Sequence, residues 1–249
     1  MSFNVKALGA FRKLGAVALI TATLAMCFTA CKQTSGGGGG GTQGAPFVEG
    51  GASLILSPDS LTIRLKAKTE DGSAIEVEGC TETTLKSDVE TELHAKGTKV
   101  VLKGNITELV CVDNQLTALN VQGCTALHEL YCGYNRLTSL GVQGLTALQT
   151  LWCYANNLLE LNVQGCTSLI MLWCYANHLN AQVMTEILNA LPSRTAGDNA
   201  EVVLYAEYSG EGNCKDYNTP ADLKKAFDEA KSRNWKLQKR NASGDEVDI

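Results

Sequence analysis

The chain is poor in the residues that do chemistry. Only 19% of its 249 residues are charged, and three are histidine. His94, His128 and His178 share no motif and no repeat position. No G-x-S-x-G, H-E-x-x-H or P-loop pattern occurs. Asp and Glu are scattered as on a solvated surface, with no convincing acid–base pair. The ten cysteines include no C-x2-C pair, so zinc has no clustered ligands. These absences predict a non-enzymatic protein with no cofactor and no metal.

Basic charge is also scarce. Lys6, Arg12 and Lys13 precede an apolar run, Leu14–Phe28, which Phe28-Thr29-Ala30-Cys31 closes. That layout over residues 1–31 is a secretory signal peptide, too short and too abruptly ended for a membrane-spanning helix. With those three cations set aside, 18 Lys and Arg remain against 26 Asp and Glu, a net charge near −8. No basic stripe is left, so nucleic acid and anionic lipid surfaces are excluded as partners. The small residues before Cys31 resemble the lipobox of bacterial lipoproteins, in which that Cys becomes the lipidated N-terminus. Phe28 departs from the usual Leu, and Cys27 fits less well because Met26 precedes it. Simple secretion with cleavage near Ala30 is the alternative. Residues 32–46 contain six consecutive glycines, Gly36–Gly41, a flexible tether that favours the anchored form.

Four stretches read L-x-x-L-x-C-x-x-N-x-L at a constant spacing of 21 residues: Ile106–Leu116, Leu127–Leu137, Leu148–Leu158 and Leu169–Leu179, with Ile106 replacing the first Leu. Such a period is the signature of a leucine-rich-repeat solenoid, a stack whose concave strand face is usually a binding surface. Each second half echoes the first as L-x-x-L-x-V-x-x-C, with Leu145 where the others carry Cys. About ten residues serve that side, too few for a helix, so extended or 3₁₀ segments are expected there.

The flanks have other rhythms. Ser53–Leu56, Leu61–Lys68, Ala74–Glu78, Glu90–His94 and Thr98–Lys103 alternate apolar and polar residues, predicting a β cap over 47–105. After the repeats (106–180), Val183, Met184, Ile187, Leu188 and Leu191 recur at helical spacing and end at Pro192. Glu201–Glu207 reads as a strand. Thr219-Pro220-Ala221-Asp222 reads as a helix start, with Thr219 as cap and Pro220 in the first helical position. Leu223, Phe227 and Ala230 form that helix's stripe, Trp235–Leu237 a last strand, and Asn241–Ile249 a frayed tail. The fold class is therefore α+β and β-dominated: a short solenoid with a parallel concave sheet, an N-terminal β cap and a C-terminal α/β cap over 181–249.

Stacking in register puts outward residues in columns about 4.8 Å apart. The position between Leu and Cys gives Val110, Tyr131, Trp152 and Trp173; the position after Cys gives Val112, Gly133, Tyr154 and Tyr175. If Val202 and Leu204 point inward, Val203 and Tyr205 extend both columns. Tyr134 stands at the rim, and Glu129, Thr150 and Met171 on the flank. Six or so rings left half open expose roughly 500 Å², at the upper end of the largest patch on an ordinary monomer. Covering them yields ~12 kcal/mol gross at ~25 cal/mol per Å², before association costs. The competing reading is that aromatics suit any strand and that repeat duplication copies them.

Cys111, Cys132, Cys153 and Cys174 take an inward core position, and Cys124 and Cys166 a corner of the second half. They read as buried free thiols, with disulfides between stacked rungs as the alternative. Cys80 and Cys214 are unassigned. Asn114, Asn135, Asn156 and Asn177 turn inward to bond backbone groups of adjacent coils.

Leu130-Tyr-Cys-Gly-Tyr-Asn-Arg-Leu and Leu151-Trp-Cys-Tyr-Ala-Asn-Asn-Leu, followed by Leu-Asn-Val-Gln-Gly-Cys-Thr, resemble bacterial leucine-rich-repeat lipoproteins and surface proteins of host-associated anaerobes and spirochaetes. The repeats cover about a third of the chain; the β stretch ending Lys103–Leu109 and the segment Met184–Pro192 also look like that family's caps. The resemblance implies surface or outer-membrane display and protein–protein contact, often with host molecules. The leading expectation is a lipid-anchored module, carrying its lipid at Cys31, that binds a protein partner through Tyr131, Trp152, Tyr154, Trp173, Tyr175, Tyr205, Glu129 and Met171. A glycan-binding surface and a structural envelope lipoprotein are the alternatives.

Overall fold

A computed structural model describes residues 44–249. The expected signal peptide, Cys31 and the glycine run lie outside the described residues. The tail of the expected tether lies inside them and is docked rather than free. Ser53 Oγ donates to the Pro46 carbonyl, Asn120 Nδ2 donates to Ala45 O at 3.2 Å, and Ala45 is buried.

Two sheets and two helices make a β-dominated α+β fold. Five N-terminal strands come first where alternation places them: β1 (Gly51–Ile55), β2 (Thr62–Thr69), β3 (Ile75–Glu78), β5 (Thr91–His94) and β6 (Lys99–Lys103), with a two-residue β4 (Thr84–Leu85) that is too short to announce itself. Then the chain passes back and forth between the sheets: β7 (Ile106–Val110), β8 (Ala118–Asn120), β9 (Glu129–Tyr131), β10 (Ser139–Gly141), β11 (Thr150–Trp152) and β12 (Met171–Trp173). The odd-numbered repeat strands and β12 pair in parallel, with Leu109, Leu130, Leu151 and Leu172 in register. On the other side β8 and β10 pair in parallel through Leu119 and Leu140. The second halves are thus extended, as ten residues require, although the third, around Leu161, pairs with no strand. Leucines from both sides, with the thiols of Cys111, Cys132, Cys153 and Cys174 between them, fill one core.

The N-terminal strands lengthen both sheets. β2 and β5 continue the first beyond β7, while β1, β6, β3 and β4 continue the second beyond β8. At the far end α1 (Ala181–Ala190) is capped by Asn180, whose Oδ1 accepts the Val183 N–H at 3.0 Å, and it buries Met184, Ile187 and Leu188. β13 (Glu201–Ala206) adds to β12 in parallel, followed by β14 (Lys236–Arg240) and β15 (Glu246–Asp248). α2 (Ala221–Ser232) buries Leu223, Ala226, Phe227 and Ala230.

Two expectations for this end need correction. Pro220, not Thr219, caps α2; the Thr219 hydroxyl is spent on Asp216 Oδ2 at 2.8 Å. The tail is not frayed, because β15 pairs antiparallel with β14, Val247 opposite Lys239, and the Ile249 N–H reaches Leu237 O at 3.0 Å.

Candidate functional site: an aromatic layer on the parallel sheet

The asparagine column sets the geometry. Asn156 Oδ1 accepts the Leu137 N–H at 3.0 Å, while its Nδ2 reaches the carbonyls of Cys132, Cys153 and Tyr154 at 3.0–3.3 Å. Asn135 and Asn177 repeat this pattern, as does Asn114 against Arg64 of β2. Each side chain clamps one segment to the next and pairs backbone groups that the turn would leave buried and unsatisfied. The residues just before these asparagines, Asp113, Tyr134, Ala155 and Ala176, all adopt left-handed backbone with φ between 52 and 57°.

The clamp continues beyond the last repeat with residues that the 21-residue period does not reach. Asn213 Oδ1 accepts the Leu179 N–H at 2.9 Å and its Nδ2 donates to Cys174 and Leu204. Glu211 gathers the N–H groups of Ala176, Ala206 and Asn213 at 2.6–2.8 Å. A carboxylate and an amide from one loop thus replace a further repeat.

Outside the core lies a second, separate cluster, made of Trp152, Tyr154, Tyr175, Val203 and Ala206 with Tyr131, Met171, Trp173 and Tyr208 at its margin. The register aligns Val110, Tyr131, Trp152, Trp173 and Val203 across five strands. All the expected aromatic residues but one therefore share this face. Tyr205 does not. A bulge between Val203 and Tyr205 shifts the alternation of β13, so Ala206 takes the outer place. Tyr205 turns into the main core and stacks on Tyr217 at 6.1 Å.

The rings do not stand open to water as expected. Tyr175 is fully buried, and Trp152 and Tyr154 are 5% and 7% exposed. The cause is dimensional: the spacing of neighbouring strands, about 4.8 Å, is also a ring-stacking distance. Trp152 lies on Trp173 with centroids 4.3 Å apart and planes within 6°. Tyr154 lies on Tyr175 at 4.8 Å and 10°. Three of the four ends are closed by a ring edge: Tyr131 meets Trp152 at 83°, Tyr134 meets Tyr154 at 85°, and Tyr208 meets Tyr175 at 88°. Tyr131, Trp173 and Met171 stay half-buried, and Tyr134 is 49% exposed. The wall is one aromatic layer whose rings cover one another.

Gly133 makes this possible. A Cβ there would approach the Tyr154 ring to 3.0 Å, so any larger residue would press on that ring.

Polar groups fix the rings. Tyr131 donates to Glu129 Oε2 at 2.5 Å, Trp152 Nε1 to Met171 Sδ at 3.2 Å and Trp173 Nε1 to Glu201 Oε1 at 3.3 Å. Arg240 donates to the Tyr175 hydroxyl at 2.7 Å. Burial pushes the Tyr154 phenol up to about 12 and raises Tyr131 and Tyr175 as well, the first aided by Glu129 and the second opposed by Arg240. All three phenols are protonated near neutral pH. Burial likewise lifts Cys111 and Cys153 to about 12 and Cys132 and Cys174 well above the ordinary thiol range. These free thiols are packing groups, not nucleophiles.

Among the described residues no group of three or more His, Cys, Asp and Glu could hold a metal ion, and no helix is long and apolar enough to cross a membrane. Tyr208, Glu211, Asn213 and Arg240 complete the site yet carry no repeat signal in the sequence. No protein-family model matches the chain, and no curated protein matches it.

Proposed function

We propose that the chain is a leucine-rich-repeat solenoid serving as a non-enzymatic module that binds a protein partner through its aromatic face. In the same proposal it is exported, lipid-anchored at Cys31 and held at the cell surface or outer membrane, where host attachment is one use. The 21-residue register of Leu109, Leu130, Leu151 and Leu172, and the repeated asparagine clamp, support the repeat architecture.

One observation carries the binding reading: two ring stacks form a continuous aromatic surface on the outer side of the parallel sheet. Aromatic anchors dominate protein interfaces, and rings already locked by neighbours lose little freedom on association. The same packing denies a sugar the faces of Trp152, so a glycan would have to stack on Trp173. Trp152 has Trp173 on one side and Tyr131 on the other.

The test is binding of the purified protein to intact host cells and to bacterial envelopes, each pretreated with protease or with glycosidase. Saturable binding should vanish after protease, survive glycosidase, and be lost in Thr150→Arg. That change sets a bulky cation mid-face without removing a ring. Loss on glycosidase alone would replace the protein partner with a glycan, and full binding by Thr150→Arg would remove the face from the proposal. Palmitate incorporation abolished by Cys31→Ala tests the anchor.

A further inference from the structure

The outer face of the parallel sheet carries three columns, and their charge is one-sided. The first runs Glu108, Glu129, Thr150, Met171 and Glu201 in register. The second is Val110, Tyr131, Trp152, Trp173 and Val203, and the third is Val112, Gly133, Tyr154, Tyr175 and Ala206. These fifteen positions hold three carboxylates and no base. Glu108 is neutralised by Lys66 at 2.7 Å. Glu129 and Glu201 are both half-buried, and among the described residues neither forms an ion pair. Their hydrogen-bond partners are the neutral donors Tyr131 and Trp173. Lys236, opposite Glu201 on β14, is engaged by Asp248 at 3.5 Å. Each half-buried carboxylate is held in place by an aromatic hydrogen bond, which leaves it placed to accept a cation.

We infer that the partner segment is dibasic: two Lys or Arg side chains, set to reach Glu129 and Glu201 together, with apolar residues between them lying over Thr150 and Met171 and against the exposed edges of the tryptophan stack. This rests on the protein-binding reading of the face. The spacing follows from the fold. β9 and β13 are three strand intervals apart in the order β9-β11-β12-β13, which is about 14 Å. An extended segment covers that distance in four residues at about 3.3 Å each, so the pattern is basic–x–x–x–basic. Both indole N–H groups are already used, one by Met171 and one by Glu201, and Trp152 has a ring on either side. The ring edges, the half-buried Trp173 and the carboxylates are what the surface offers.

The experiment uses the purified protein and three acetylated, amidated peptides. One carries Lys-Leu-Pro-Leu-Lys, one has both Lys replaced by Gln, and one has the shortened core Lys-Leu-Lys. Binding is followed by tryptophan fluorescence and calorimetry. The first peptide should bind, the Gln analogue at least about tenfold more weakly, and the shortened core about as weakly as a single ion pair, with affinity falling as salt rises. Glu129→Gln and Glu201→Gln should each cost about fivefold and the two together the product, with melting unchanged because Gln keeps the acceptor for Tyr131 or Trp173. Equal binding of the Gln analogue, or undiminished binding by the double variant, overturns the inference. If Thr150→Arg loses cell binding while the double Gln variant keeps it, the dibasic partner falls and the protein-binding face stands. If Thr150→Arg keeps cell binding, both fall.

Discussion

Trp152 and Trp173, one strand apart, are stacked face to face at 4.3 Å, yet only Trp152 is buried. The two should therefore separate stability from binding. Trp152→Ala is expected to cost about 3–4 kcal/mol, as for a buried indole, and Trp173→Ala about half that. Denaturant melts of the two variants check this, and equal losses would mean the stack is not the structural unit described. Trp152 is consequently a poor residue with which to probe binding, whereas Thr150 removes nothing from the layer.

Gly133 and Tyr154 should be coupled. Gly133→Ala places a Cβ 3.0 Å from the Tyr154 ring and is expected to cost about 1–2 kcal/mol by overpacking. In a Tyr154→Ala background the same change should be nearly neutral, because the ring it displaces is gone. A double-mutant cycle reads the difference, and additive losses would contradict the contact.

The asparagine clamp predicts that Asn156→Ala costs about 3 kcal/mol, because the Leu137 N–H and the carbonyls it serves are buried. Asn213→Ala should cost nearly as much, although Asn213 lies 36 residues beyond Asn177 rather than 21. Chemical denaturation of both variants tests whether the loop residue is a true equivalent.

At the N-terminal edge, Glu82 accepts from the His94 backbone N–H and from its ring Nδ1, both at 2.8 Å, with Glu92 Oε1 3.6 Å from Nε2. The two hydrogen bonds lower Glu82 to about 2, and the Glu82 contact raises His94 above 6.5. The raised histidine contributes stability fully below its unfolded value of 6.5 and loses it as pH rises through the folded value. The depressed carboxylate contributes above its unfolded value of 4.5 and loses it as pH falls toward 2. The clasp is thus strongest between pH 4.5 and 6.5. His94 is exposed and Glu82 partly so, so the effect is small. The difference in stability between the wild type and His94→Ala should peak in that window and shrink on either side; a difference independent of pH would refute the pairing.

Strict periodicity carries much of this structure. A 21-residue recurrence identifies which Leu, Cys and Asn point inward, because neighbouring strands impose one environment on one position. Burial of the rings is not readable from it: whether Tyr154 faces water depends on Tyr175, Tyr134 and Tyr208 covering it, which side-chain packing decides. Tyr205 was unreadable for another reason, since one extra residue in β13 reverses the alternation that follows. Glu211 and Asn213 escape the pattern because α1 and β13 intervene. The closing strand β15 hides in a short charged segment whose order comes from β14.

The pinned segment at Ala45 and Pro46 has a directional consequence. Ser53 and Asn120, which hold it, alternate with the core residues Leu54 and Leu119 and so project from the far side of the second sheet. The backbone at Val48 crosses so close to Gly123 that no side chain fits there. Chain entry and the tryptophan wall therefore occupy opposite sides of the molecule.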